Sequence, residues 1–429
     1  MNKRHLLLLS LYFLLPVALV AQDHMARVRQ TMDTLTSKIM YGRGYTFGGD
    51  RKAAEYIRNR FQQMGLHPIG NSYFQEFSFS VNRIVETPQL QVDGQQLTPG
   101  QDFAARSSST SGAGKAMVLP LDTLIFTSAK AAKKFFKQSF TDKALVYPQK
   151  EQKRLAQLPV QYQQKLQQAA LHIVLQPTAL LTTVAREQDA VPVLEVRQDV
   201  WPRQAKQVTF SIKADLNPQH QTRNVIGFIR GSQQPDSVLV FTAHYDHLGS
   251  QGEEVYFPGA NDNASGTTML LELAQHYSCP ENKPKYSMAF IAFAAEEAGL
   301  LGSFYYVKLP LFPLQHISFL INMDLLGTGD DGLMVVNGKV HEQELNLLQR
   351  LNEQHQYLPQ IKSRGKAANS DHYPFSEAGV PAFFFYTLGG TAAYHNTQDH
   401  AKQLPLTKFP EVFRLITSFA EALMRDKAN

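Results

Sequence analysis

Cysteine is nearly absent: Cys279 is the only one in 429 residues, so no intrachain disulfide can form and a thiolate metal site is excluded. With no cysteine near the start, there is no obvious point for lipid attachment either. Excess charge is lacking too. The 42 basic residues face 37 acidic ones, with no Lys/Arg stripe interleaved with aromatics, and this argues against a nucleic-acid partner. Past the N-terminus no apolar run is long enough to cross a bilayer, so stable membrane insertion is not expected. No internal repeat is visible. Gly42 and Gly44 precede no GK[ST] and are read as turn residues, not as a phosphate loop. There is no G-x-S-x-G elbow, which disfavours a Ser-His-Asp hydrolase.

What is present begins with a leader. Lys3 and Arg4 precede an apolar stretch over 6–20, interrupted by Pro16 and closed by Ala21. This is the pattern of a secretory signal peptide cleaved after Ala21, and it falls short of the ~20 residues that a membrane anchor needs. Cleavage would leave 40 basic and 37 acidic residues, a formal charge of +3, on an exported chain, periplasmic or secreted. The length allows two or three units.

The glycine-rich stretch 41–49, YGRGYTFGG, is followed by Asp50, read as the cap of a helix to about Met64 with Ala53, Ala54, Ile57 and Phe61 on one stripe. Residues 73–81 alternate like a strand. Between 86 and 216 the texture changes: a Ser/Gly-rich linker at 107–114, flexible by composition, leads to short β-like runs at 115–119, 144–147, 172–175, 191–196 and 208–212 around a Lys/Gln-rich helical stretch. No cluster of metal-type side chains occurs there, so it reads as an inserted, mostly β module apart from the chemistry. From 223 onward strands and helices alternate. Strands are expected at 225–229, 237–243, 286–295, 317–323, 333–336 and 380–386, and helices at 264–277, 302–308, 341–356, 371–378 and 406–426. The pattern predicts an α/β fold, a mixed, mainly parallel sheet with helices on both faces. The expected organisation is leader 1–21, first part of a catalytic domain 22–85, insert 86–216, and remainder of the catalytic domain 217–429.

Ligand-type residues recur at the carboxyl ends of these strands, where open α/β sheets place their chemistry. The 237–243 strand ends in His244-Tyr245-Asp246-His247, the 286–295 run in Glu296-Glu297, the 317–323 strand in Asp324, and the 380–386 strand leads to Tyr394-His395. Asp262 lies in GANDNASG just ahead of a helix. Imidazole and carboxylate together suit zinc, whereas magnesium or calcium prefer oxygen-only shells. Two histidines with three carboxylates exceed one tetrahedral ion and fit two ions sharing a bridging carboxylate.

HYDHLG, GANDNASG, AAEEAGLLGS, NMDLLG and YHNTQD, in that order, resemble the motifs of the M28 family of co-catalytic di-zinc aminopeptidases, and GRGYTFGGDRKAAEYIRNRFQQMGL resembles that family's first helix. The 86–216 region is similar, more loosely, to the protease-associated domain. The resemblance implies two Zn2+ per chain: Asp262 bridging, His244 and Asp324 on one ion, Glu297 and His395 on the other. It implies Glu296 as general base toward a metal-activated water, Asp246 as the carboxylate that fixes the His244 tautomer, and Tyr394 as an oxyanion donor. It also keeps open a cis peptide between Asp262 and Asn263. Ser370-Asp371-His372 matches a further motif, read as helix-capping and pocket-shaping, His247 as a loop hydrogen-bonder, and Asp399 as orienting the His395 loop. The implied activity is aminopeptidase action on peptides. Carboxypeptidase, dipeptidase and glutaminyl cyclase chemistry, or a non-catalytic binding role, stand as alternatives. Side-chain preference would be set by loops such as 326–332 and 363–369.

Overall fold

The computed structural model describes residues 24–426 apart from Ala392, so the expected leader lies outside the described residues. The main sheet has eight strands: β1 (Phe74–Ile84), β2 (Ala214–Ile229), β3 (Gln234–His244), β4 (Tyr286–Phe293), β5 (Ile317–Met323), β6 (Leu333–Val336), β7 (Ile361–Ser363) and β8 (Ala382–Thr387). Their order is β1-β2-β4-β3-β5-β8-β6-β7. β4, β3, β5 and β8 run parallel, while β1, β2 and β6 pair antiparallel to their inner neighbours. Helices cover both faces: α1 (24–35), α2 (Gly49–Gln63), α3 (Ser265–Ser278), α4 (Leu301–Lys308), α5 (Glu342–His355), α6 (His372–Glu377) and α7 (Phe409–Asp426). The α/β architecture is the one expected. α1 was not foreseen.

The apolar run of β4 is buried at every position because both faces are covered. Met288, Phe290 and Ala292 join the core that holds Phe61 and Leu271, while Ala289, Ile291 and Phe293 join the one that holds Tyr306 and Phe375. This is why a central parallel strand reads as continuous apolar sequence and not as alternation.

Residues 89–212 build a second eight-stranded sheet. Its central strands Gly112–Pro120, Lys143–Pro148, Leu171–Gln176 and Val193–Arg197 are parallel, and the short helices Ala129–Phe135, Gln152–Ala156 and Val160–Leu166 connect them. The region is therefore more helical than its sequence texture implied. Two local expectations are corrected. The Ser/Gly stretch is no flexible linker: Ser109 is fully buried, its hydroxyl accepts from the Val193 N–H at 2.9 Å, Ser108 Oγ donates to Asp189 at 2.7 Å, and a strand starts at Gly112. Asp50 does not cap α2. Gly48 holds that position in the left-handed region, and the buried Asp50 carboxylate pairs with His220 Nε2 at 2.9 Å.

The second sheet hangs from β1 and β2, which pair from Phe74–Val225 to Ile84–Ala214 with one shift of register between Phe79 and Val81. β2 extends well before the expected start at 225, because its polar first half is exposed and lacks an apolar face to announce a strand.

Candidate metal centre

β3 is the switch point of the sheet. The chain passes from it to β4 on one side and later to β5 on the other, which opens a crevice at the carboxyl ends. His244 is the last residue of β3, Asp324 follows β5, Glu296 and Glu297 follow β4, His395 lies beyond β8, and Asp262 sits just before α3. The structure brings all of them together.

Asp262 divides the cluster. Its Oδ1 lies 3.4 Å from His244 Nε2 and its Oδ2 lies 2.9 Å from His395 Nε2. Asp324 Oδ2 is 3.4 Å from His244 Nε2, and Glu297 Oε2 is 3.3 Å from His395 Nε2. The five residues thus form two groups that share one carboxylate. Donor atoms of His244, Asp262 and Glu297 lie within 4.8 Å of one another, as do those of His244, Glu296 and Asp324. Donors ~2.0–2.1 Å from a tetrahedral zinc stand about 3.3 Å apart, so these separations fit shared ions. His244 Nε2 and Asp324 Oδ1 are buried without a hydrogen bond, a costly state for polar atoms unless a cation takes the place of the missing partner. The Asp262–Asn263 peptide is cis, in keeping with the resemblance.

The electrostatics point the same way. Burial first, then the neighbouring carboxylates, hold Glu296 and Glu297 well above the ordinary range despite relief from His244. Burial opposes the charge on His244, but Asp324 and Glu296 raise it overall. Burial also opposes the charge on Asp262, and the facing imidazoles of His244 and His395 outweigh it and pull that carboxyl down. Packed acids of this kind are stabilised by a positive ion between them.

The surrounding bonds correct several assigned roles. His244 Nδ1 faces the main-chain oxygen of Asp246 at 3.2 Å, while the Asp246 carboxylate is 3.8 Å away. That carboxylate instead accepts from Tyr45 Oη at 2.7 Å and from the amides of Glu296 and Glu297 at 3.1 and 3.3 Å. It orients the glutamate pair. His247 is more than a loop residue, since its Nδ1 lies 2.7 Å from Glu297 Oε1. Asp371 makes no capping bond to α6; Ser370 Oγ donates to Asp324 Oδ2 at 3.3 Å and accepts from Asn322 Nδ2 at 2.8 Å. Asp399 grips the Asn261 and Asp262 amides at 3.0 and 3.2 Å, so its carboxylate serves the Asp262 loop. Tyr394 stacks on His395 with centroids 4.0 Å apart.

One supporting residue escaped sequence reasoning. Arg43 is fully buried and spends its guanidinium on main-chain oxygens: Tyr245 at 2.8 Å, Leu35 at 3.0 Å, Pro258 at 2.6 Å, Gly259 at 2.7 Å and Asp262 at 3.2 Å. Burial lowers its pKa to about 10 against the pull of Asp262, Asp399 and Asp246, so it remains charged at neutral pH. Its flanking glycines permit the approach: a Cβ on Gly44 would lie 2.2 Å from Gly249 Cα, and one on Gly42 would lie 2.3 Å from Gly249 O. An arginine between two glycines, in a loop that matches no phosphate pattern, was the available signal.

Residues 224–420 match the profile of peptidase family M28. Over 261 residues the chain is 31% identical to aminopeptidase YwaD of Bacillus subtilis (strain 168), a match that covers 55% of this chain and 52% of that protein. The chain thus spans about half the length of that curated relative. In fold it is similar to BSAP, a zinc aminopeptidase from Bacillus subtilis, with a TM-score of 0.68, 20% identity, and 94% and 95% of the two chains covered. A peptidase M28 precursor from Shewanella amazonensis SB2B gives a TM-score of 0.68 at 16% identity, covering 96% and 97%. The similarity to peptidase family M28 thus falls on the part of the chain that carries His244, Asp262, Glu296, Glu297, Asp324 and His395.

Proposed function

We propose that this protein is an exported di-zinc aminopeptidase that removes N-terminal residues from peptides. The observation that carries the reading is the placement of Asp262, whose two carboxylate oxygens face different histidines, each with its own further carboxylate. His244 and Asp324 would hold one ion, His395 and Glu297 the other, with Asp262 between them. Zinc, when bound, polarises a scissile carbonyl and lowers the pKa of a water toward ~7. Glu296, level with Glu297 but free of a histidine partner at hydrogen-bond distance, takes the proton from the attacking water and passes it to the departing amine. Asp246 fixes the main chain of both glutamates, so each stays on its own task. Tyr394, beside His395, stands to donate to the developing oxyanion. The unused positive charge of a free peptide N-terminus suits the acidic cluster. Export rests on the 1–21 leader, and the 86–216 region supports the reading of a protease-associated insert.

The test is a screen of purified protein on aminoacyl and N-blocked chromogenic substrates, with metal analysis alongside. About two zinc ions per chain and cleavage of free-amine substrates only are expected. Cleavage of blocked substrates alone would remove the aminopeptidase assignment. One zinc, unchanged on adding more, would favour cyclase chemistry.

A further inference from the structure

His395 sits in the left-handed region at φ 51°, in a stretch that has left β8 and has not yet reached the anchored Asp399. For a non-glycine residue that conformation costs on the order of 1 kcal/mol, so its surroundings must enforce it. The enforcing bonds come from the second sheet's region. The Thr182 N–H donates to the main-chain oxygen of His395 at 3.0 Å, and Thr397 Oγ1 donates to the Gly100 oxygen at 3.0 Å. Other hydrogen bonds of 394–398 are local, such as Gln398 N–H to Asn396 Oδ1 at 2.9 Å. Besides the His395 imidazole facing Asp262 and Glu297, and the local bond from the His400 N–H to the Gln398 oxygen at 2.9 Å, the hydrogen bonds that tie 394–398 to distant chain end in residues 100 and 182. Cavities of about 770 and 400 Å3 lie where Ala179 approaches Asn396 and Gln398.

We propose that the 177–183 strap and the Gly100 turn position His395, so that the insert holds one metal ligand in place although it supplies none. Thr182 and Thr397 act through His395 and are positioning residues. Occupancy of the His395–Glu297 half of the centre then depends on the insert, while the His244–Asp324 half does not. The zinc part of this statement rests on the two-metal reading; the part concerning the loop does not.

Full-length Thr182→Pro, which lacks the N–H, and Thr397→Val, which lacks the hydroxyl, would be compared with wild type and with Thr182→Ala, which keeps the amide. Hydrogen exchange of a peptide covering 394–398 in the metal-free proteins should quicken roughly fivefold for each bond removed and by less than about twofold in Thr182→Ala. After competition with a chelator, Thr182→Pro and Thr397→Val should retain about one zinc where wild type retains about two. Folded variants with wild-type exchange and wild-type zinc retention would overturn the proposal. Should Thr182→Pro fail to fold, Thr397→Val alone decides. A wild type that binds a single zinc would overturn the two-metal reading, and the exchange contrast would still test the strap.

Discussion

Glu296 and Glu297 leave the same strand yet face different partners: Glu297 meets His247 at 2.7 Å and His395 at 3.3 Å, whereas Glu296 shares its nearest donor group with His244 and Asp324. Glu296→Gln keeps shape but cannot accept a proton, so kcat should fall by roughly 10²–10⁴-fold with zinc content retained. Glu297→Gln should lose metal together with activity. If the metal loss fell on Glu296→Gln instead, the two roles would be exchanged. Arg43 offers a second residue-scale test. Arg43→Met removes the guanidinium donor from five main-chain oxygens, of which that of Gly259 keeps the Ala264 N–H at 3.1 Å, and chemical denaturation should show a loss of about 3 kcal/mol or more. Arg43→Lys should recover little of it, because one ammonium cannot reproduce the planar fork. A loss below about 1 kcal/mol in Arg43→Met would mean that the carbonyls find water.

The elements divide into those that announce themselves and those that do not. β3, β4, β5 and β8 were legible because burial on both faces leaves an apolar run, and the polar residue that ends such a run marks the sheet edge. His244, Asp324 and the glutamate pair could be found that way. What could not be found depends on chain segments far apart in sequence: the Asp246 carboxylate turning to Tyr45, the serines of 107–109 tied to Val193 and Asp189, and Asp50 paired with His220. Local composition holds no trace of those partners. The 41–49 loop is the clearest case, since Gly42 and Gly44 are required by contact with Gly249 and not by any turn type visible in the sequence. Gly44→Ala places a methyl 2.2 Å from Gly249 Cα, backbone against backbone, so the loop must move. Thermal unfolding should show clear destabilisation and zinc affinity should drop; a variant that melts like wild type would mean that the loop yields without moving Arg43.

For the molecule as a whole, the metal-free protein carries a buried excess of acids. Burial pushes Asp371 up to about 7 and Asp399 to about 6, and it holds Glu296 and Glu297 well above their ordinary range. Carboxyls with folded pKa values above their unfolded ones bind extra protons when folded, so their contribution is present at low pH and is lost as pH rises through the folded values. Asp262 is shifted the other way but stands alone among these acids. Burial holds the His247 and His372 imidazoles below their ordinary range, which acts the opposite way only below about pH 6.5, so chelated protein should melt at a lower temperature as pH is raised from about 6.5 to 8, and added zinc should restore more at the upper end. A melting temperature that rises across that range without metal would contradict the argument. The spread of the centre along the chain has a consequence for biosynthesis. Its anchors and donors run from Arg43 to Asp399, with the last ligand at position 395 of 429. A nascent chain, made N-terminus first, can assemble neither the cradle of Asp262 nor the second half of the donor set until His395 and Asp399 have left the ribosome, so the proposed centre forms in one step instead of growing with length.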